Sequence, residues 1–453
     1  MSTARAPPTV GIIGMGYVGM ATAAAFAHYG LHVIGFDVDA ARREALRKGT
    51  APIYEEGLAP LIRRAIRSRR LLLADSLEDL VARSPVVFLC IQTPSTGDGS
   101  IDLSFLAQAA LDVGTAIHRL GKWRLVVVKS TVVPGTAGGM VTEVIQKSGS
   151  LRPGVDFSVA SNPEFLAEGT MVRDALRPAR IVIGVPDARS ERSLRGLYQK
   201  FPAPLVTLPV AAAELVKYAS NAMLALRVSY SNEMARIAQR AGVDIDPVLA
   251  AVGSDPRIGP LFLRAGPGYG GSCFTKDVRA LASWGRDHGV ETPILTATLD
   301  GNELQAHHVV DLTEEALEGL SGKRIALLGL SFKPGTSDTR DSRAYPILDG
   351  LLRRGASVVL FDPHAMESFR KGLTEGSIRA AGSHLSFAAS LNEALRGADA
   401  AIVQSDWEEF RTLPARKWRD LRQRTVIDTR RTLPRDAMAR AGVRWVGLGV
   451  GKE

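Results

Sequence analysis

The sequence predicts an α/β chain, with two parallel-sheet lobes joined by a helical middle. Three observations carry that reading. Short apolar runs alternate with helical patterns from residue 9 onward, as in strand–helix–strand units. The alternation stops near residue 211, and the segment Ala211–Ala241 keeps helical periodicity without a proline. It resumes at Lys323-Arg324-Ile325-Ala326-Leu327-Leu328-Gly329. A chain of 453 residues is too long for one core, so two or three domains are expected.

In order, the first lobe's strands are expected at Thr9–Ile13, His32–Phe36, Val86–Ile91, Leu125–Lys129, Phe157–Ala160 and Arg180–Val185. The prolines Pro202, Pro204 and Pro209 mark a linker. The helix that follows exceeds the usual globular length and suits a domain connector or a dimer interface. Second-lobe strands follow at Ser357–Phe361, Ala400–Gln404, Thr425–Ile427 and Arg444–Val446. These breaks divide the chain into 1–204, 205–317 and 318–453.

Composition narrows the function classes. Hydrophobic residues make up 45% and charged residues 23%, an ordinary globular balance. The net charge of +9 comes partly from Arg63, Arg64, Arg67, Arg69 and Arg70, which read as a solvated helix face and its turn. No aromatic interleaving accompanies them, so nucleic acid is not expected as a partner. The cationic excess suits anionic diphosphate ligands instead. Two cysteines, Cys90 and Cys273, provide neither a disulfide framework nor metal-ligand spacing. Met1–Pro8 carries no signal-peptide pattern and no apolar run is long enough to span a membrane. A cytoplasmic protein without a metal is the expectation.

The turn Gly14-Met15-Gly16-Tyr17-Val18-Gly19 ends a strand and opens a helix. In this G-x-G-x-x-G pattern Gly14 permits the tight turn, Gly16 lets a pyrophosphate approach, and Gly19 allows close helix–strand packing. Tyr17 and Val18 fall within the same cofactor turn. The next strand ends at Asp37, at the spacing of an acid that binds a ribose 2′-hydroxyl. Its charge would repel a 2′-phosphate, so NAD is favoured over NADP, with Arg42 nearby as the opposing feature. Two further strand ends, carrying Thr93-Pro94 and Lys129-Ser130-Thr131, belong to the same crevice. Thr131 is placed to bond a ligand or water, or else to cap the next segment. Cys90 lies inside an apolar strand and reads as inert core.

The most informative stretch is Gly270-Gly271-Ser272-Cys273-Phe274-Thr275-Lys276-Asp277, behind the glycine-rich run Gly266–Gly271. Glycines let backbone approach a ligand. Lys276 offers a cation that favours the nucleophilic thiolate of Cys273. Taken alone, these residues fit a buried structural cysteine equally well.

Together with Asn162-Pro163-Glu164-Phe165-Leu166-Ala167-Glu168-Gly169, Lys217…Asn221 and Phe332-Lys333-Pro334-Gly335-Thr336, these motifs span nearly the whole chain. The chain resembles the UDP-glucose/GDP-mannose dehydrogenase family. The resemblance implies two Rossmann-like lobes, an N-terminal one for NAD and a C-terminal one for the UDP-sugar, around a central helical domain that forms a homodimer. It implies two successive NAD-dependent oxidations of a sugar's primary alcohol to the acid, through a cysteine thiohemiacetal and thioester.

By the same resemblance, Cys273 is the nucleophile and Glu164 a general base. Lys217 and Asp277 hold a catalytic water and stabilise oxyanions. Asn221 lies four residues beyond Lys217 on the long helix, about 6 Å away at Cβ, so both reach one substrate. Thr131 sits near the nicotinamide, and Glu168, Lys276 and Arg340 contact the cofactor side. Glu164, Phe165, Leu166, Glu168, Lys217, Asn221, Arg257, Phe262, Arg264, Gly266, Tyr269, Gly270, Phe332, Lys333 and Arg430 contact the sugar nucleotide. Arg257 is donated across the dimer interface. Arginines suit diphosphates because the planar guanidinium makes bidentate contacts. Without the family, Lys217 reads as a solvated helix lysine and Glu164 as a helix-start carboxylate.

Three departures stand out. Asp428-Thr429-Arg430 replaces the family's Asp-Gly-Arg, so the backbone at Arg430 is expected to differ. Gln92 replaces a small or apolar residue. Ser272 precedes an intact cysteine, unlike the N-acetylhexosamine branch. Tyr269 and the loop Arg264–Gly271 favour UDP-glucose over GDP-mannose or another UDP-hexose. A two-electron hydroxyacid-type dehydrogenase would need neither Cys273 nor a second lobe, and a non-catalytic sensor would not need Glu164, Lys217 or Asp277.

Overall fold

The computed structural model describes residues 9–53, 55–374 and 382–451. The chain divides into two compact units, Met1–Ser220 and Asn221–Glu453.

The first unit is built on β1 (Thr9–Ile13), β2 (His32–Phe36), β3 (Leu71–Leu73), β4 (Val86–Leu89), β5 (Arg124–Val128), β6 (Phe157–Ser161), β7 (Ile181–Gly184) and β8 (Leu205–Leu208). They form one sheet in the order β3-β2-β1-β4-β5-β6-β7-β8. The first six strands run parallel; β7 lies antiparallel to β6 and β8 parallel to β7. Side chains alternate between two cores, as the strand period of two requires. Val10, Ile12, Val33, Phe88, Leu125 and Val127 face one core with Phe26, while Ile13, Ile34, Val87, Leu89, Val126 and Val128 face the other. Burial on both faces explains why these strands read as continuous apolar runs. The order reverses between β1 and β4, and ligands of such sheets bind outside the strand ends at that point.

One expectation fails here. The proline-flanked stretch expected as a linker contains β8, paired with β7 from Ile181↔Leu205 to Gly184↔Leu208. Leu205-Val206-Thr207-Leu208 are strand formers, and the flanking prolines fall outside the ladder at a sheet edge, where proline is tolerated.

The long helix is present as Val210–Arg240 and runs from the first unit into the second. The second unit continues with the helices Phe274–Asp287 and Pro293–Leu317. Its sheet comprises β9 (Arg324–Leu328), β10 (Ser357–Phe361), β11 (Leu385–Phe387), β12 (Ala400–Val403), β13 (Thr425–Asp428) and β14 (Arg444–Gly447). All pairs are parallel, in the order β11-β10-β9-β12-β13-β14. This repeats the order of β1–β6. Two parallel-sheet lobes with a helical centre are therefore the observed fold.

The likeness of the lobes extends to single hydrogen bonds. Gly14 N donates to Phe36 O (2.8 Å) and Met15 N to Asp37 Oδ2 (2.7 Å) in the first. In the second, Gly329 N donates to Phe361 O (2.9 Å) and Leu330 N to Asp362 Oδ2 (2.7 Å).

Candidate active site

In the first unit the glycine turn has the geometry its sequence requires. Gly14 adopts φ +89°, and a Cβ there would meet Cys90 O at 2.3 Å. A Cβ at Gly19 would fall 1.8 Å from Gly14 O, so the helix Tyr17–His28 packs on the turn only because residue 19 is glycine. A Cβ at Gly16 would meet nothing within 4 Å. Gly16 is also the N-cap and gives the helix no side-chain cap, so its leading N–H groups remain available to a pyrophosphate. Tyr17 and Val18 open that helix.

Asp37 lies buried just beyond β2. Its carboxylate accepts Met15 N (2.7 Å), Asp39 N (2.9 Å) and Arg42 Nη1 (3.0 Å). A carboxylate has about four acceptor positions, so one stays available for a ribose hydroxyl. The equivalent Asp362 differs. It accepts from Leu330 N, Ser331 N, Ser331 Oγ, His364 N, Ala365 N and Trp407 Nε1, which saturates it. The residues of the first lobe fit a dinucleotide; those of the second have turned the same acid into a structural tie. Thr93 Oγ1 donates to Thr131 O (2.9 Å), and Ser130 Oγ accepts Ile91 N (2.8 Å), joining the two cofactor loops that hold Thr131 and Pro94.

Residues 162–167 form an extended segment after β6, and the next helix starts only at Met171. Glu164 therefore starts no helix. Glu164 Oε1 lies 2.9 Å from Lys217 Nζ, and its Oε2 accepts Leu166 N at 2.5 Å. Lys217 is buried, not a solvated helix lysine. Burial pushes the Glu164 carboxyl up, but the ammonium of Lys217 and these hydrogen bonds outweigh it and hold it below its ordinary value. Arg180, just ahead of β7, stacks over the Phe165 ring at 4.1 Å. Glu168 follows in the turn.

Cys90 lies one residue past β4, not inside the strand as expected, and packs partly buried against the core. Burial pushes its thiol up to about 12, the opposite of what a nucleophile needs.

In the second unit, Cys273 is half-buried at the N-cap of the helix Phe274–Asp287. Its Sγ lies 3.5 Å from Ser272 Oγ. Four residues on, buried Asp277 accepts Asn221 Nδ2 at 2.6 Å and Lys276 Nζ at 2.7 Å. The same unit thus assembles the thiol loop, its acid, its lysine and Asn221.

The loop ahead of the cysteine is tightly held. Gly266 N donates to Asn232 Oδ1 (2.8 Å), and Asn302 clasps Tyr269 through its N (2.8 Å) and O (3.0 Å). A Cβ at Gly270 would lie 2.3 Å from Asp341 O, and Gly271, at φ +86°, packs on the Phe332 ring. Lys333 Nζ lies 5.3 Å from that ring, and Arg340 pairs with Asp338.

Arg430 donates to Gln404 O (2.8 Å), and Arg264 donates to Arg430 O (2.7 Å). Burial and the neighbouring Arg264 hold the Arg430 guanidinium below its usual value, against the carboxylates of Asp406 and Asp428. Thr429 causes no distortion: the left-handed residue of that turn is Arg431, at φ 56°, and Thr429 Oγ1 donates to Val403 O (2.7 Å). Arg257 is exposed and paired with Asp255, while Phe262 is exposed at φ 62°.

Sequence reasoning placed Lys129 and Asn162 in motifs but gave neither a role. Lys129 Nζ donates to Asn162 Oδ1 at 3.0 Å, and both are buried. The signal was a lysine closing an apolar run.

Comparison with known proteins places this geometry. Family models for the UDP-glucose/GDP-mannose dehydrogenase NAD-binding, central and UDP-binding domains match residues 8–202, 211–304 and 326–435. UDP-glucose 6-dehydrogenase AglM of Haloferax volcanii is 41% identical over 94% of this chain and 97% of its own. The UDP-glucose 6-dehydrogenase of Rhizobium meliloti is 38% identical over 97% and 98%. A solved UDP-glucose dehydrogenase from Pyrobaculum islandicum superposes with TM-score 0.89 at 39% identity, covering 99% of both chains. The dinucleotide turn, the cysteine loop and the full-length likeness agree: this chain belongs to the UDP-glucose/GDP-mannose dehydrogenase family.

Proposed function

We propose that the chain oxidises UDP-glucose to UDP-glucuronate in two NAD-dependent steps, a four-electron conversion without release of aldehyde. The observation that carries this is Cys273 at a helix start, preceded by a glycine loop and followed by Lys276 and Asp277. Identity supports the sugar. Proteins named UDP-glucose 6-dehydrogenase reach 41%, whereas a solved UDP-D-ManNAc dehydrogenase from Pyrococcus horikoshii reaches 27% at TM-score 0.84.

Bound NAD supplies the hydride acceptor for each oxidation. The residues supply the rest. By the family resemblance, Lys217, Asp277, Asn221 and Thr131 serve the water that takes the alcohol proton. The Cys273 thiolate then adds to the aldehyde carbon, giving a thiohemiacetal that loses hydride to become a thioester. Glu164 activates the water that hydrolyses the thioester, releasing the carboxylate and restoring the thiol. Gly14, Gly16, Tyr17, Val18, Gly19, Asp37, Thr93, Pro94, Glu168, Lys276 and Arg340 serve the cofactor. Phe165, Leu166, Phe262, Arg264, Gly266, Tyr269, Gly270, Phe332, Lys333 and Arg430 serve the sugar nucleotide. The division 1–204, 205–317 and 318–453 belongs to the same proposal, with β8 extending the first sheet beyond residue 204.

We also infer a cytoplasmic homodimer. Met223, Tyr230 and Ile237 recur every seven residues on the long helix and are 57%, 44% and 55% exposed. Such a stripe suits a second copy, to which Arg257 is donated. Among the described residues no helix is long and apolar enough to cross a membrane.

The test is the NADH formed per sugar nucleotide consumed, with UDP-glucose, GDP-mannose and UDP-N-acetylglucosamine in parallel. Two NADH from UDP-glucose alone support the reading. Two from another sugar move the substrate, one points to a hydroxyacid-type dehydrogenase, and none from any removes the enzyme claim.

A further inference from the structure

Lys129 follows β5 and is buried, yet its two hydrogen bonds both go to neutral oxygens of Asn162: Oδ1 at 3.0 Å and the backbone O at 3.4 Å. A buried ammonium is costly without a carboxylate against it, and such a group persists where its charge acts on something nearby. Asn162 is held on every side. Its N donates to Val128 O (2.9 Å), its Nδ2 to Val182 O (2.7 Å), and its Oδ1 also accepts Tyr198 OH (2.5 Å). Pro163 then stiffens the path to Glu164, two residues beyond Asn162. The end of β5, the strand β7 and the helix Ala188–Tyr198 are thereby tied to the carboxylate's backbone.

We propose that Lys129 is a positioning residue for Glu164: clamped on Asn162, it fixes the segment bearing that carboxylate and supplies a second buried positive charge beside it. This rests on the reading of Glu164 as the general base.

The surrounding groups leave that task to the two lysines. Lys217 faces Glu164 from the long helix at 2.9 Å. Cys90, from the end of β4, and Tyr198, from the helix Ala188–Tyr198, both have their pKa values raised by burial and stay neutral near neutral pH. Arg180 is committed to the Phe165 ring and to Ser220 Oγ (2.9 Å). Burial lowers the Lys129 pKa while the Glu164 carboxylate draws it up; in return Lys129 helps to hold the Glu164 carboxyl low.

The experiment compares wild type, Lys129→Met, Asn162→Asp and Glu164→Gln in the full-length enzyme, measuring kcat and KM for UDP-glucose across pH and melting by circular dichroism. Asn162→Asp keeps the size and sets a carboxylate against Lys129, at the cost of the Nδ2 bond to Val182 O, so it tests the charge even if Lys129→Met does not fold. Both variants are expected to move the acid limb of kcat up by about one pH unit, because an opposing charge has been lost or cancelled. KM for UDP-glucose should change less than about twofold, since ground-state binding is untouched. Glu164→Gln should lose the limb and about 100-fold or more in kcat. If Glu164→Gln keeps wild-type turnover and limb, the general-base reading fails. If it loses them while the other folded variants keep the wild-type limb, the role of Lys129 is overturned.

Discussion

Glu164 and Lys217 form a 2.9 Å ion pair in which both side chains are at least nine-tenths buried. Removing one partner from such a pair leaves an opposite charge uncompensated and costs about 3–5 kcal/mol, whereas removing both costs much less. Lys217→Met should therefore be destabilised by that order, and the double variant Glu164→Gln/Lys217→Met should recover much of the loss. Urea unfolding of wild type, Glu164→Gln, Lys217→Met and the double variant checks this; purely additive effects would show that the pair is not coupled. The sign with pH follows from the carboxyl. Its folded pKa lies below the ordinary 4.5, so the pair's contribution is complete above that value and disappears as pH falls through the lower one.

Much of this arrangement was legible in the sequence, and the exceptions have physical causes. The strands β1, β2 and β10 have the bounds expected, because a buried parallel strand is an unbroken apolar run between turns. β3 and β11, three residues each at the sheet edges, carry too little pattern to stand out. β8 was hidden by its prolines. The glycine turn could be read because each glycine answers a separate steric demand. Lys129 could not: nothing local distinguishes a lysine that caps a strand in solvent from one buried on an asparagine thirty-three residues away. Nor could sequence reveal that Asp362, placed like Asp37, is saturated by Trp407 and Ser331.

Cys273→Ser tests the covalent step. Serine keeps the size and the position at the helix start, but its hydroxyl is not ionised at neutral pH and adds poorly to an aldehyde. UDP-glucose binding, followed by calorimetry, should stay within about threefold, while sustained turnover falls by about 1000-fold or more. NADH should stop at no more than one per active site. A full yield of uronate from the variant would remove the thiohemiacetal from the mechanism.

On the proposed function, Asp37 and Arg42 should set cofactor choice between them. Arg42 Nη1 rests on Asp37 Oδ2 at 3.0 Å, so on this reading the acid both presents a charge to the 2′ position and restrains a neighbouring cation that could welcome a phosphate there. Asp37→Ala removes the repulsion and releases Arg42. The ratio of kcat/KM for NAD to that for NADP should fall by about tenfold or more, equivalent to about 1.4 kcal/mol. Asp37→Ala/Arg42→Ala should recover less NADP use than the single variant. Equal ratios in all three proteins would show that neither side chain reaches the ribose.

Glu214 gives the first unit a pH dependence of its own. It is almost wholly buried on the long helix, where it accepts Gly135 N at 2.7 Å and Ala137 N at 2.8 Å, in the segment that follows Thr131. Burial pushes its carboxyl from 4.5 up to about 7, against the lowering effect of those two hydrogen bonds. A raised carboxyl pKa means the folded state binds the proton more tightly than the unfolded chain, so stability falls as pH rises from about 4.5 through about 7 and then levels. The loss is on the order of 3 kcal/mol. Glu214→Gln carries no such titration. Relative to wild type it should become more stable by that order between about pH 5 and about pH 8, as read from urea unfolding at each. A difference that does not change with pH would mean that Glu214 is ionised throughout, and that its two amide hydrogen bonds outweigh its burial.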